Sequence, residues 1–176
     1  MKFSPLYSGS SGNCSVVSVG NTHVLVDAGM TGKSILAALS QVGVDPCALS
    51  AIVVTHEHSD HIKGVGIMSR KFDIPVYANE GTWKAMAPFI GEVSMRNIRA
   101  FVTGQNFYVG DLDITPFPLS HDAAEPVGFT FFGKGVKLVY MTDTGYASEK
   151  LRETAAKADL LFLESNHDLD MLRNGP

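Results

Sequence analysis

The sequence predicts an α/β (α+β) domain in which mixed β-sheets pack on each other with helices outside. Three observations predict it. Short β-rich runs alternate with helical patterns in the first part of the chain, strands dominate the second part, and a helix comes late in each half. The 176 residues are 45% hydrophobic and 18% charged with only 8 prolines, which excludes disorder and supplies a core for one compact domain.

Each element carries a local signal. Val16 to Val19 and His23 to Val26 read as strands about a tight turn at Gly20-Asn21. Lys33 to Val42 places Ile35, Leu36, Leu39 and Val42 at helical spacing, and Gly43 follows as a C-cap. Ala51-Ile52-Val53-Val54 is a continuous apolar run, the pattern of a strand buried on both faces. A helix is expected from His61 towards Phe72, then a short strand at Val76-Tyr77 and a helix from Gly81 to Phe89. Asn106 to Phe117 reads as a hairpin about Gly110-Asp111, and Val127 to Phe132 pairs with Val136 to Met141 across Gly133-Lys134-Gly135. A helix over Ser148 to Lys157 leads into Leu160-Leu161-Phe162-Leu163, read as a buried strand.

Composition bounds the function. The longest apolar run is five residues, Ile35 to Leu39, too short to cross a bilayer. Met1-Lys2-Phe3-Ser4-Pro5 has no apolar stretch behind its charge, unlike a signal peptide. Cys14 and Cys47, without CxxC spacing, fit a reducing cytoplasm better than a disulfide scaffold. The 14 basic and 18 acidic residues give a net charge of −4, so the chain as a whole is not an electrostatic nucleic-acid binder. The charge is uneven: residues 61–100 hold Lys63, Arg70, Lys71, Lys84, Arg96 and Arg99 against Asp73, Glu80 and Glu92. Such a face could track a phosphate backbone, with Trp83 or Tyr77 stacking on a base. Solvated helix faces and core aromatics account for the same residues equally well.

The densest chemical signal is Thr55-His56-Glu57-His58-Ser59-Asp60-His61, directly after the apolar strand. Imidazole and carboxylate donors in this density suit zinc. His56 and His58 lie two apart, so an extended segment points both the same way. Asp60 and His61 follow from the turn into the next helix and can face a second ion. A zincin would need His-Glu-x-x-His, but the position four after His56 is Asp60. A barrel amidohydrolase needs more than 176 residues for eight βα units. Gly29-Met30-Thr31-Gly32-Lys33-Ser34 mimics the end of a P-loop, but its first glycine would fall on Asp27, which rejects nucleotide hydrolysis there.

The HxHxDH pattern of His56, His58, Asp60 and His61 resembles the metallo-β-lactamase-fold hydrolases, and later segments fit in order. Ser8 to Cys14, His121 to Phe129 and Glu164 to Asp168 look more specifically like the YycJ/WalJ-like exonuclease branch. The resemblance covers essentially the whole chain. It implies an αββα sandwich with two face-to-face sheets, and hydrolysis of phosphodiester bonds by two divalent ions, zinc or else manganese. DNA is the implied substrate ahead of RNA, with 5′-to-3′ digestion. His56, His58 and His121 would hold metal one, Asp60 and His61 metal two, and Asp143 would bridge them, while Asp27 would support the site from behind. Asp27, Asp60, His61 and Asp143 are thus the candidate catalytic positions. A lactamase would often place cysteine where Asp143 stands, and neither Cys14 nor Cys47 matches that place.

Three residues are candidate substrate contacts. Ser11 and Asn13 lie in a glycine-rich turn whose backbone amides could cradle a phosphate, and His167 follows the last strand. The resemblance also implies a further histidine and further strands beyond Asp168. Only eight residues follow, none a histidine, so residues 1–176 are expected to form an incomplete domain that binds metal two more weakly than metal one and is a weak or inactive nuclease. Hydrolysis of thioesters, lactones or small phosphodiesters on the same scaffold is the rival chemistry, since fold alone does not set substrate. A metal-binding module without catalysis is the rival of another class.

Overall fold

The computed structural model describes residues 1–146 and 148–164. Strands β1 (Lys2–Tyr7), β2 (Cys14–Val19), β3 (Thr22–Val26), β4 (Leu49–Val53), β5 (Val76–Ala78) and β6 (Ile98–Ala100) form one sheet in sequence order. Its first three strands are antiparallel and its last four run parallel. The second sheet has the order β11 (Leu160–Leu163), β10 (Val136–Met141), β9 (Val127–Gly133), β8 (Leu112–Pro118) and β7 (Phe107–Val109). It is antiparallel except for the β10–β11 pair. The crossovers of the first sheet carry α1 (Gly32–Val42), α2 (Ser59–Ile62), α3 (Val65–Phe72) and α4 (Glu80–Ile90), and α5 (Glu149–Ala156) joins β10 to β11.

Side-chain alternation sorts the residues into layers. Val17, Val24, Val26, Ala51 and Val53 face the second sheet, where they meet Ile114, Phe129, Phe131, Leu138 and Tyr140. Val16, Leu25 and Ile52, one residue out of phase, face Ile35 and Leu39 of α1, Met68 of α3 and Met86 of α4. Val139 and Met141 turn outward to Leu151 of α5. The expected helix–sheet–sheet–helix order is therefore present. Burial on both faces explains why β4 reads as an unbroken apolar run.

Several elements depart from the sequence reading. The helix expected from His61 to Phe72 is two helices broken at Lys63-Gly64. Gly64 donates to Ala28 O at 2.7 Å, and a Cβ there would lie 2.4 Å from Met30 O. Strand β1 has no counterpart in the sequence reading. It is an edge strand carrying Pro5, and its pairing with β2 shifts register between Pro5 and Tyr7. The expectation of a buried strand at Leu160 to Leu163 is corrected: Leu160, Leu161 and Leu163 are 43%, 41% and 52% exposed. That strand is an edge, paired only with β10 among the described residues, so its apolar run does not have a covered face on each side.

Candidate metal centre

Strands β3, β4 and β5 are parallel, so their C-terminal ends share one rim of the sandwich. Strands β8 and β10 both run antiparallel to β9 and end on a shared rim of the other sheet. Val127 N donates to Thr55 O at 3.1 Å, which brings the two rims together. Asp27 follows β3, His56 and His58 follow β4, His121 follows β8 and Asp143 follows β10. Residues far apart in sequence thereby converge. Ligating atoms of His56, His58 and His121 lie within 4.8 Å of one another, as do those of His56, His61 and Asp143.

The backbone beneath is laced tightly. Asn13 N donates to Asp60 O at 2.7 Å, Gly29 N to Asn13 O at 2.8 Å and Ala28 N to His61 O at 2.8 Å. A Cβ on Gly29 would fall 1.6 Å from Asp60 O, so glycine is required for this approach. The Gly29-to-Ser34 segment that mimics a P-loop serves instead to seat the metal loop and to cap α1 through Thr31. Asp27 and Asp143 hold φ of 59° and 53°, a left-handed conformation that aspartate tolerates better than most residues. They are two of the four non-glycine residues with positive φ among the described residues.

Hydrogen bonds fix which ring nitrogens face the cluster. Asp27 is buried and accepts from Thr55 N, Thr55 Oγ1 and His61 Nδ1, each at 2.8 Å. Thr55 Oγ1 gives its one hydrogen to Asp27, so it accepts from His56 Nδ1 at 3.0 Å and leaves the Nε2 lone pair of His56 facing the cluster. His121 Nδ1 lies 3.1 Å from Asp122 Oδ1, and His58 Nε2 lies 3.2 Å from Asp122 O. Their opposite nitrogens, His121 Nε2 and His58 Nδ1, then confront each other at 3.2 Å. Two lone pairs so placed repel unless a positive charge lies between them. His56 Nε2 is buried without a hydrogen-bond partner, and buried Asp143 Oδ2 meets only His61 Nε2, at 3.2 Å.

The electrostatics point the same way. Burial, then the rings of His61 and His121, push His56 down to about 2, so it is a neutral imidazole with a free lone pair at pH 7. Burial also opposes charge on His61, but Asp27 and Asp143 overcome it and raise His61 to about 10. The contact with His61 holds Asp143 down to about 2, against the effect of burial. The point between His61 Nε2, Asp143 Oδ2 at 3.2 Å and Asp60 Oδ2 at 3.7 Å therefore favours positive charge. A cation there would displace a proton. The donor set fits divalent metal on both sides of His56, with imidazoles on one side and imidazole plus carboxylates on the other.

The sequence profile of the Beta-lactamase superfamily domain matches residues 22–175. The chain belongs to that superfamily. It is 45% identical over 175 residues to exodeoxyribonuclease YycJ of Bacillus anthracis and 42% identical over 176 residues to exodeoxyribonuclease WalJ of Streptococcus pneumoniae serotype 2 (strain D39), 99% of this chain in each case. The chain spans 66% and 65% of the lengths of those relatives. Among solved structures, the metallo-beta-lactamase fold protein YhfI from Bacillus subtilis superposes with a TM-score of 0.78 at 20% identity, over 96% of this chain and 73% of that one. The αββα sandwich is thus the superfamily fold.

The superfamily fold places most of the predicted residues at or beside this rim. His56, His58, His61, His121 and Asp143 are brought together, and Asp27 sits behind them on His61. His56 belongs to both donor groups rather than to one, and Asp60 lies at the margin of the second, with its side chain 31% exposed. Asn13 is buried, its amide 3.0 Å from His61 Nε2 and 3.4 Å from Asp60 Oδ2. Ser11 is exposed on the rim of the adjoining cleft. His167 lies outside the described residues. The amides of Gly9, Gly12 and Asn13 are engaged by Asn13 Oδ1, Gly9 O and Asp60 O, which removes these three from the phosphate cradle expected of this turn.

Two carboxylates that the sequence did not single out hold the His121 loop. Glu57 Oε1 accepts from Ala124 N at 2.7 Å. Glu125 accepts from Thr103 Oγ1 at 2.6 Å and from Gly81 N at 3.1 Å, while its carbonyl accepts from Asn79 Nδ2 at 2.8 Å. Both contacts join segments distant in sequence, so no local pattern could have revealed them. Glu57 stood in the motif as the unassigned position between two histidines.

Proposed function

We propose that this chain is a metal-dependent phosphodiester hydrolase acting on DNA, with the 5′-to-3′ exonuclease polarity implied by its sequence resemblance. His56, His58 and His121 would hold one divalent cation, and His61, Asp60 and Asp143 a second. One observation carries this reading: donor atoms from the two sheets converge on one rim, in a chain 42–45% identical to two named exodeoxyribonucleases. The histidine-rich donor set favours zinc over manganese. The free Cys14 and Cys47 favour a reducing cytoplasm. No helix among the described residues is long and apolar enough to cross a membrane.

Bound cations would supply Lewis-acid stabilisation of a phosphoryl oxygen and a more acidic water. The residues of the chain do the rest. Asp27 fixes the ring of His61 and, through Thr55, that of His56. Asp122 orients His58 and His121 through its carbonyl and carboxylate. Glu57 and Glu125 anchor the His121 loop to the first sheet, so that a ring from the other sheet stays in register. All four imidazoles are committed to ligation or to hydrogen bonds, which leaves none as a general base.

The test is digestion of single- and double-stranded DNA labelled at the 5′ or the 3′ end by zinc-loaded, manganese-loaded and chelator-treated protein, with a thioester offered to the same samples. Metal-dependent release from the 5′ end without thioester turnover supports the proposal. Thioester turnover without DNA cleavage would replace it with the rival chemistry.

A further inference from the structure

We propose that the cleft beside the metal cluster is a nucleotide subsite, in which Phe89 stacks on a base and Lys63 meets the adjoining phosphate. The inference rests on the phosphodiesterase reading and specifies which part of the substrate this surface holds. The cleft measures ≈ 620 Å³ and is lined by Ser10, Ser11, His58, Asp60, Lys63 and Phe89. Its volume lies within the range of about 300–1,000 Å³ usual for small-molecule sites. Phe89 is 79% exposed. Helix α4 buries Thr82, Met86 and Ile90, so the core makes no use of the Phe89 ring.

The two aromatic rings that the sequence offered for stacking are occupied. Trp83 Nε1 donates to Arg99 O at 2.9 Å, and its ring packs on the helical core. Tyr77 stacks on Phe107 with centroids 5.2 Å apart. Among the basic residues of segment 61–100, Arg70 donates to Ile90 O and Glu92 O, and Arg99 to Ile98 O. Arg96 pairs with Asp73, Lys84 with Glu80, and Lys71 lies over the Phe72 ring. Lys63 alone of these six has no such partner among the described residues, and it lines the cleft. One flat apolar ring and one cation without a partner among the described residues, both beside the metal donors, match a nucleotide, with its base and its phosphate. Stacking is tolerant of sequence because every base has a π-face, which suits an enzyme that must accept each base in turn.

The test measures binding, by fluorescence anisotropy, of the zinc-loaded chain to a short phosphorothioate oligothymidylate and to the same backbone made abasic. Wild type should prefer the base-bearing strand by about 5- to 150-fold, the equivalent of one stacked base. Phe89→Ala should remove that preference and Phe89→Trp should retain it. Lys63→Ala should weaken both strands alike and lower the salt slope by about one. Equal affinity of wild type and Phe89→Ala for the base-bearing strand overturns the subsite and leaves the phosphodiesterase reading standing. Failure of wild type to bind either strand overturns both.

Discussion

Replacing Asp27 with asparagine probes the support of the metal centre while keeping the side-chain shape. Asp27 is buried and accepts three hydrogen bonds of 2.8 Å, two of them, from Thr55 Oγ1 and His61 Nδ1, on the same oxygen Oδ2. Asparagine keeps one acceptor, for Thr55 N, and turns an NH2 group towards the other two donors. His61 then either loses its partner or moves its proton to Nε2, the nitrogen that faces Asp143 and Asp60. Loss of such an outer partner weakens metal binding by about 10–100-fold, or about 1.4–2.7 kcal/mol. A buried donor left unpaired costs the fold a further ~1–3 kcal/mol. The effect should fall mainly on the ion beside His61, because His56 retains Thr55 Oγ1 as its partner. Zinc competition against a chromophoric chelator reads the affinity of each site, and a thermal melt of the same samples reads the fold. Unchanged zinc affinity at both sites would refute the reasoning and reduce Asp27 to a turn former.

Three further perturbations test other parts of the account. His58→Ala should abolish metal-dependent turnover with an unchanged circular dichroism spectrum, because the ring is half-buried on a loop and takes no part in the core. Gly29→Ala should lower the melting temperature by several degrees and impair zinc binding, since its Cβ would overlap the backbone of Asp60. Glu125→Ala removes two hydrogen-bond acceptors, at about 1 kcal/mol each. It should weaken the site containing His121 more than the site containing His61, with partial rescue by Glu125→Gln, as read by the same chelator competition.

What the sequence disclosed depends on how local the determining physics is. The strand after Leu49 was legible because both of its faces are buried and its residues are uniformly apolar. The helix from Gly32 was legible from its spacing and its Gly43 cap, which has φ of 74°. The break at Gly64 was hidden because its cause is contact with the segment Ala28–Met30, distant in sequence. The run Leu160–Leu163 has the composition of a buried strand, and only the sheet order shows it to be an edge. At the candidate site, the cluster from His56 to His61 announces itself by density. His121 and Asp143 are single residues on other strands and become legible only through resemblance to a family. Trp83 and Tyr77 looked available for stacking because sequence alone does not show what lies against a ring. Phe89 was passed over for the same reason, and exposure is a property of the folded surface.

The central claim is that the converging donors on this rim hold divalent cations. A zinc-edge anomalous difference map from crystals grown with zinc tests it most directly. One peak is expected among His56, His58 and His121 and a second beside His61, Asp143 and Asp60. An anomalous map with no peak at this rim, from protein shown by its melt to be folded, would contradict it.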